Sequence, residues 1–164
     1  MTPFFPEEMT ITLGPRPGKK SLARLQELAP THCATLLSAR EDAPLIEKIC
    51  TKIGTSARPC TWVWLPMEGG NIEVLRGTDV HALVETLSAA IKDTAAPHIY
   101  LHCSAGIHRT GFFAYILLRL MGLEAQAATQ RLAALRAVTA EQVTPERIEL
   151  AETVALQILD NKQI

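Results

Sequence analysis

The feature that most limits how this chain can fold is a polar, glycine-containing stretch between two apolar runs. Residues 102–111 read HCSAGIHRTG. The run that leads into them, residues 98–102, has the length of a buried strand, and the run that follows, residues 111–118, is typical of a buried helix. The small and polar residues between the runs favour a tight turn. The pattern predicts a strand, a loop and a helix N-terminus in succession.

A loop that enters a helix is suited to binding an anion. Its unpaired backbone N–H groups and the positive end of the helix dipole converge on one point, so no metal is needed. The same field lowers the pKa of a thiol, and Arg109 follows Cys103 by six residues. We name residues 103–109 the anion loop and predict that Cys103 is a nucleophile facing a bound oxyanion. The alternative is a buried thiol that fills space in an ordinary strand-to-helix turn.

The rest of the chain alternates between strand and helix patterns. Strand patterns cover residues 10–13, 31–37 and 60–65; helix patterns cover residues 22–28, 43–53, 80–91, 110–121 and 124–138, with a last helix beginning at Thr144. This order predicts an α/β fold, with a mostly parallel central sheet, helices on both faces, and the anion loop between a strand and a helix. We expect residues 1–164 to form a single domain.

Charge and cysteine content argue against several classes of protein. Sixteen Lys and Arg against seventeen Asp and Glu give a net charge of −1, so no overall basic field would bind nucleic acid or a membrane. The four cysteines lack the spacing of a zinc site and are too few for a disulfide scaffold, so we expect reduced thiols, no metal and no cofactor. A secretory signal pattern is absent, and the most apolar segment, residues 112–123, is too short to span a bilayer. We expect a cytoplasmic monomer.

The pattern of a His-Cys pair, five residues, then Arg-Thr-Gly resembles the signature of the protein tyrosine phosphatase superfamily. It departs from the commonest form at His108, where glycine is frequent. The short chain is similar to the dual-specificity-like branch, and residues 11–138 follow its order of elements. The resemblance implies a cysteine-dependent phosphatase that hydrolyses phosphate monoesters through a cysteinyl-phosphate intermediate. Residues 104–107 lack the lysines that often accompany phosphoinositide-directed members. This favours a phosphorylated protein as the partner, with the phosphate on tyrosine and also on serine or threonine.

The signature residues receive individual roles from the same resemblance. Cys103 attacks phosphorus, the planar fork of Arg109 binds phosphoryl oxygens, and Thr110 donates a hydrogen bond to the thiolate. His102 bonds to the backbone near the cysteine and orders the loop. The backbone N–H groups that bind phosphate belong to the residues that follow the cysteine: Ser104, Ala105, Gly106, Ile107, His108 and Arg109.

A general acid is expected on a mobile loop upstream of the cysteine, where the resembled family has an aspartate. Here the comparable position is Glu68, followed by Gly69 and Gly70. A glutamate can protonate a leaving group, and two glycines let a loop move over a bound phosphate. Glu73 and Asp79 lie on the same connection and compete for the role, although Asp79 is also suited to cap a helix. The alternative for residues 67–70 is a surface turn.

Other interpretations stay open at this point. His108 is either an extra, pH-sensitive partial charge at the lip of the site or a solvent-exposed loop residue. The chain as a whole could be a phosphate-binding module without turnover, or a phosphatase of a non-protein phosphate such as a phosphoinositide. A sulfur-transfer or arsenate-reducing enzyme would need a resolving cysteine near Cys103, and the spacing of the cysteines provides none.

Overall fold

The computed structural model describes residues 4–163. Within them, strands and helices follow one another in this order: β1 (Thr10–Gly14), α1 (Leu22–Leu28), β2 (His32–Thr35), a 3₁₀ turn (Ala39–Glu41), α2 (Pro44–Ile53), β3 (Thr61–Trp64), α3 (Ile72–Arg76), α4 (Val80–Ile91), β4 (His98–His102), α5 (His108–Leu120), α6 (Ala125–Leu135), α7 (Ala137–Gln142) and α8 (Pro145–Gln163).

The strands of this part of the chain form one parallel sheet in the order β1-β4-β2-β3. Apolar residues are buried on both faces of the sheet: α1 and α2 contribute to one cluster, and α4, α5, α6 and α8 contribute to the larger one. The expected α/β fold is therefore confirmed. Strand β4 lies between β1 and β2, so the anion loop that follows it emerges at the middle of the sheet.

Helix α5 is the central helix of the larger cluster. Nearly every one of its residues is buried, with Phe112, Phe113 and Ile116 fully inaccessible to solvent. This burial explains why the sequence after the anion loop is apolar all round rather than on one stripe. Helix α8 packs against α5, and Arg119 of α5 forms an ion pair with Glu152 of α8 at 2.8 Å. Among residues 4–163, no helix is long and apolar enough to cross a membrane.

Two elements differ from the sequence-based expectation. The helix expected over residues 124–138 is broken, because Arg136 is extended, with φ −163° and ψ 109°, between α6 and α7. Helix α3, between β3 and α4, was not expected, since five residues are too few for a clear apolar period. The strands β2 and β3 are also shorter than the apolar segments that contain them.

Parallel strands end at the same edge of a sheet, so the segments that follow them meet there. The segment after β1 brings Arg16, the segment after β2 brings the 3₁₀ turn with Glu41, and the segment after β3 brings Glu68. All three surround the anion loop that follows β4. The fold thus assembles one site from four connections that are far apart in the sequence.

Candidate active site

The Cys103 thiol lies at the centre of the anion loop and is almost fully buried. Burial alone would raise its pKa. The Thr110 hydroxyl, 3.1 Å from Sγ, and the backbone N–H groups of Thr110, Ile107 and Gly106 all donate to the sulfur, and together they hold the pKa of Cys103 below the usual range of a thiol. The donors that stabilise a thiolate are those that would also stabilise an oxyanion placed against it.

The carbonyl groups of residues 103–106 each accept a hydrogen bond from outside the anion loop. The Cys103 oxygen is 2.9 Å from Nδ1 of His102, and the Ser104 oxygen accepts from the backbone N–H of Arg16 at 2.9 Å. Arg136 donates to the next two carbonyls, those of Ala105 at 3.2 Å and Gly106 at 3.0 Å. Because these four carbonyls are held by partners outside the loop, the backbone N–H groups of Gly106 and Ile107 are free to face the sulfur. This is a preorganised anion site.

Gly106 is the residue that this curl requires. Its φ of +76° lies in the left-handed region, and a Cβ there would be 2.3 Å from the backbone oxygen of Gly14. Only glycine combines that conformation with so close an approach to the end of β1. Its carbonyl accepts a second hydrogen bond, from the Thr139 hydroxyl at 2.6 Å, so α7 supports the loop directly.

His102 is fully buried, and its hydrogen bonds define its protonation state. The Trp62 indole N–H donates to the Thr35 hydroxyl at 2.9 Å, which leaves the hydroxyl proton for Nε2 of His102 at 2.7 Å. Nδ1 then carries the ring proton and donates it to the Cys103 carbonyl. Burial is the main cause that lowers the pKa of His102 to about 4, so it stays neutral at physiological pH and acts as a structural donor.

Arg109 is fixed by a carboxylate that the sequence analysis did not identify. Glu41 accepts from both terminal nitrogens of the guanidinium, at 2.7 and 2.8 Å. Nη1 also donates to the Leu36 and Met67 carbonyls. A guanidinium has five N–H donors in a fixed plane, so the edge made by Nε and Nη2 is left for a bound oxyanion.

Glu41 itself is held in place by its own turn. Its Oε1 accepts from both the backbone N–H and the hydroxyl of Ser38, each at 3.0 Å. The hydrogen bonds from Arg109 are the main cause that lowers the pKa of Glu41 to about 2. Glu41 is therefore ionised at physiological pH, and it positions the arginine rather than supplying a proton.

Glu68 lies on the segment that crosses over Arg109, which we name the Glu68 loop (residues 66–70). Its carboxylate is largely exposed and is 3.2 Å from Arg40, which is also exposed. An exposed pair of this kind contributes little to stability. The preceding carbonyl, of Met67, accepts from Arg109, so the backbone of Glu68 adjoins the anion loop.

The two competing carboxylates have other partners. Asp79 caps α4 by accepting from the backbone N–H of Ala82 at 3.2 Å, and Glu73 pairs with Arg76 on α3 at 2.5 Å. Neither forms a hydrogen bond or ion pair with the anion loop in the described part of the chain. Of the three carboxylates, only Glu68 is on a segment that contacts the loop through Arg109.

His108 is the first residue of α5 and is exposed at the lip of the site. Partial burial, and then the positive charge of Arg147, lower the pKa of His108. Its side chain packs against Gly70 of the Glu68 loop, where an added Cβ would be 2.8 Å from the Cβ of His108. The residue that departs from the commonest signature therefore contacts the segment that carries the candidate acid.

Two of the other cysteines differ from Cys103 in the direction of their pKa shift. Cys50 and Cys60 have thiol pKa values raised above the usual range, in each case mainly because the thiol donates a hydrogen bond to a neighbouring cysteine, with burial adding to the effect. The neighbours are Cys33 for the first and Cys50 for the second. Among residues 4–163, no three His, Cys, Asp or Glu side chains are arranged to hold a metal ion.

Comparison with known families identifies the family of the domain. Residues 10–155 match the family described as the Swiss Army Knife protein, DSP-PTPase phosphatase domain, abbreviated PTP-SAK. The chain belongs to this family. The protein tyrosine phosphatase superfamily expected from the signature is thereby confirmed, and the PTP-SAK domain is a hydrolase of the dual-specificity-like type. A search of curated protein sequences finds no significant match.

Solved structures show the same fold as this PTP-SAK domain at low identity. The crystal structure of PTPMT1 has a TM-score of 0.59 and 18% identity, covering 96% of this chain and 97% of that one. Human DUSP28 has a TM-score of 0.59 and 16% identity, covering 98% and 99%. The core catalytic domain of the PP-IP phosphatase SIW14 from S. cerevisiae has a TM-score of 0.52 and 15% identity, covering 90% and 85%.

Several residues that build the PTP-SAK site carry no signal in the sequence. Residues outside the signature contact it from the segment after β1, from β2 and the 3₁₀ turn that follows it, and from the start of α7: Arg16, Thr35, Glu41, Arg136 and Thr139. The break of the helix at Arg136 has a local explanation, because the extended residue directs its guanidinium to two loop carbonyls. The spacing of residues 102–111 can be read from one segment of the sequence, and it predicted the anion loop but not the residues from other segments that support it.

Proposed function

We propose that this protein removes phosphate from phosphorylated proteins, on tyrosine and also on serine or threonine, through a covalent intermediate on Cys103. The thiolate attacks phosphorus in line, forming an S–P bond as the P–O bond to the leaving group breaks. The backbone N–H groups of the anion loop and the free edge of Arg109 stabilise the three remaining oxygens. Glu68 gives its proton to the leaving oxygen.

The second half of the reaction releases phosphate. A water molecule attacks the cysteinyl-phosphate, the Glu68 carboxylate takes up the water proton, and the S–P bond breaks. The Thr110 hydroxyl, already 3.1 Å from Sγ, stabilises the departing thiolate. Each step balances without a metal or a redox partner, and at the end the enzyme again has a thiolate and a protonated carboxyl.

The observation that carries this proposal is the environment of Cys103. Burial raises the pKa of a thiol that only fills space, and it contributes to the raised pKa of Cys50. Cys103 is about as buried as Cys50, yet four donors aim at its sulfur and lower its pKa. A fold that concentrates donors on one thiol, beside an arginine held by Glu41, favours turnover over mere packing.

The experiment is a comparison of kcat/KM for phosphotyrosyl and phosphothreonyl peptides in EDTA, with Cys103→Ser as the matched control. We expect hydrolysis of both peptides, faster for phosphotyrosine, with no effect of the chelator. The serine variant should bind vanadate without turnover, because the hydroxyl is a poor nucleophile while the N–H groups remain. Vanadate binding with no turnover by the unmodified protein would instead indicate a phosphate-binding module.

A second candidate substrate is a non-protein phosphate with several anionic groups. Four arginines surround the anion loop, and three of them, Arg16, Arg136 and Arg147, have their guanidinium groups bonded to backbone carbonyls or hydroxyls rather than to carboxylates. The fourth is Arg40. This local positive charge, on a chain with a net charge of −1, would attract a polyanion. Two structural neighbours point the same way: PTPMT1 is known in complex with PI(5)P, and SIW14 is a PP-IP phosphatase.

The two substrate classes are separated by adding a soluble phosphoinositide and an inositol polyphosphate to the peptide series. A protein phosphatase should prefer the best phosphotyrosyl peptide by roughly 10-fold or more, a difference of about 1.4 kcal/mol in transition-state binding. The reverse preference, lost on raising the salt concentration, would favour the polyanionic substrate.

A further inference from the structure

The Glu68 loop is tied down at three of its residues by three arginines. Arg109 donates to the Met67 carbonyl at 3.0 Å, and Arg40 pairs with the Glu68 carboxylate at 3.2 Å. The third arginine is Arg147, whose Nε donates to the Gly70 carbonyl at 2.7 Å. The three come from the anion loop, the 3₁₀ turn and α8, so separate parts of the fold meet on one short segment.

Of the two arginines outside the anion loop, Arg147 is fixed more firmly in place than Arg40. It is partly buried, whereas the Arg40 side chain is 84% exposed. Nη1 of Arg147 donates to the Thr144 hydroxyl at 3.0 Å. Thr144 has a φ of +82°, a left-handed conformation that β-branched residues rarely adopt and that persists only where the surroundings fix it.

The contact at Gly70 closes the loop from both sides. Its carbonyl is held by α8, and its Cα lies against the His108 side chain at the start of α5. There is no room for a side chain at this position, since a Cβ would be 2.8 Å from the Cβ of His108. The segment is therefore held between α8 and the start of α5 two residues after Glu68.

We propose that Arg147 is a positioning residue, which holds the Glu68 loop closed over the anion loop so that the Glu68 carboxyl reaches the leaving oxygen. This inference rests on the proposed function, with Glu68 as the acid. It assigns α8, outside the signature, a part in the first chemical step. Arg147 touches neither the substrate nor the thiolate, and acts through the Gly70 carbonyl.

The test compares two substrates that differ in their need for a proton. Phenyl phosphate has a poor leaving group that must be protonated, and 2,4-dinitrophenyl phosphate has a good one that needs no acid. Loss of an acid costs about 10²-fold or more for the poor leaving group. We expect Arg147→Met to lower kcat for phenyl phosphate by roughly 10-fold and kcat for the dinitrophenyl ester by less than about 2-fold, because the acid is displaced rather than removed.

A conservative variant and a matched control complete the series. Arg147→Lys should recover much of the loss, since a single N–H donor suffices for one carbonyl. If Arg147→Met fails to fold, Arg147→Gln provides the measurement, because it removes the guanidinium and keeps a polar side chain. Arg131→Met removes an exposed arginine from α6 and should leave both rates unchanged. On a Glu68→Gln background, Arg147→Met should produce no further loss, because the group that it positions is already absent.

The outcomes distinguish the two claims. If Glu68→Gln shows the defect specific to the poor leaving group but Arg147→Met slows both esters equally, or adds its full effect to Glu68→Gln, the positioning role is overturned and the acid assignment stands. If Glu68→Gln hydrolyses phenyl phosphate at the rate of the unmodified protein, Glu68 is not the acid, and the role of Arg147 fails with it.

Discussion

At the level of single residues, the neighbouring groups of Cys103 distinguish it from Cys50 and Cys60. Donors aimed at Cys103 lower its pKa, whereas Cys50 and Cys60 donate to or accept from other thiols and have raised pKa values. We expect a brief treatment with iodoacetate at pH 7 to modify Cys103 selectively. The thiol with the lowered pKa reacts first, and the carboxylate of iodoacetate is an anion that the loop can bind. Inorganic phosphate should protect the thiol, and peptide mass spectrometry would locate the label. Labelling spread evenly over the four cysteines would contradict this account.

The site residues that the sequence predicted are those that lie close together in the chain. Cys103, Arg109 and Thr110 were predicted because they lie within eight consecutive residues, where spacing in the sequence determines geometry. Glu41 precedes Arg109 by 68 residues, and nothing in its own segment marks it. Its partner is brought to it by the pairing of β2 with β4. Its role depends on tertiary contacts that no local pattern encodes.

At the scale of elements, the 3₁₀ turn and the anion loop function together through Glu41 and Arg109. Replacing Glu41 with Gln keeps the shape of the side chain but removes its charge and one of the two oxygens that accept from the Arg109 guanidinium. Hydrogen bonds to charged groups contribute about 1.5–3 kcal/mol, so we expect kcat/KM to fall by roughly 10- to 100-fold. Glu27→Gln, on the exposed surface of α1, is the matched control. A Glu41→Gln variant with an unchanged kcat/KM would show that Arg109 needs no such support.

The elements themselves were predicted to very different degrees. The alternation of apolar runs was enough for the parallel sheet, and the buried length of α5 followed directly from residues 111–118. The break at Arg136 was missed because alanine-rich segments such as residues 125–135 favour an unbroken helix. Two hydrogen bonds to the anion loop, at 3.2 and 3.0 Å, override that local preference.

At the scale of the whole molecule, buried histidines make stability depend on pH. Burial lowers the pKa of His102 from an ordinary value of 6.5 to about 4, so between these values the unfolded chain binds a proton that the folded protein does not. The free energy of unfolding therefore decreases as the pH falls through this window, by up to about 3 kcal/mol for His102. His32 and His98 also have pKa values lowered by burial and act in the same direction.

The measurement is urea unfolding between pH 7 and pH 4, for the protein and for His102→Gln. The amide of Gln can still donate to the Cys103 carbonyl, so the variant should fold. The slope of its free energy of unfolding against pH should be smaller, by an amount that corresponds to up to one bound proton. Below about pH 4.5 a second loss should begin, because the pKa of Glu41 is held near 2 by Arg109. Identical slopes for the two proteins above pH 4.5 would mean that His102 is not the group responsible.

The account as a whole depends on a covalent bond between phosphorus and the sulfur of Cys103. The most direct measurement is mass spectrometry of the protein quenched in acid during turnover of 2,4-dinitrophenyl phosphate in EDTA, a substrate with a leaving group good enough for the intermediate to accumulate. The account requires one phosphoryl group on the peptide that contains Cys103, and neither adduct nor turnover in Cys103→Ser. Hydrolysis by the Cys103→Ser variant at an undiminished rate, or a phosphoryl group on any other residue, would contradict it.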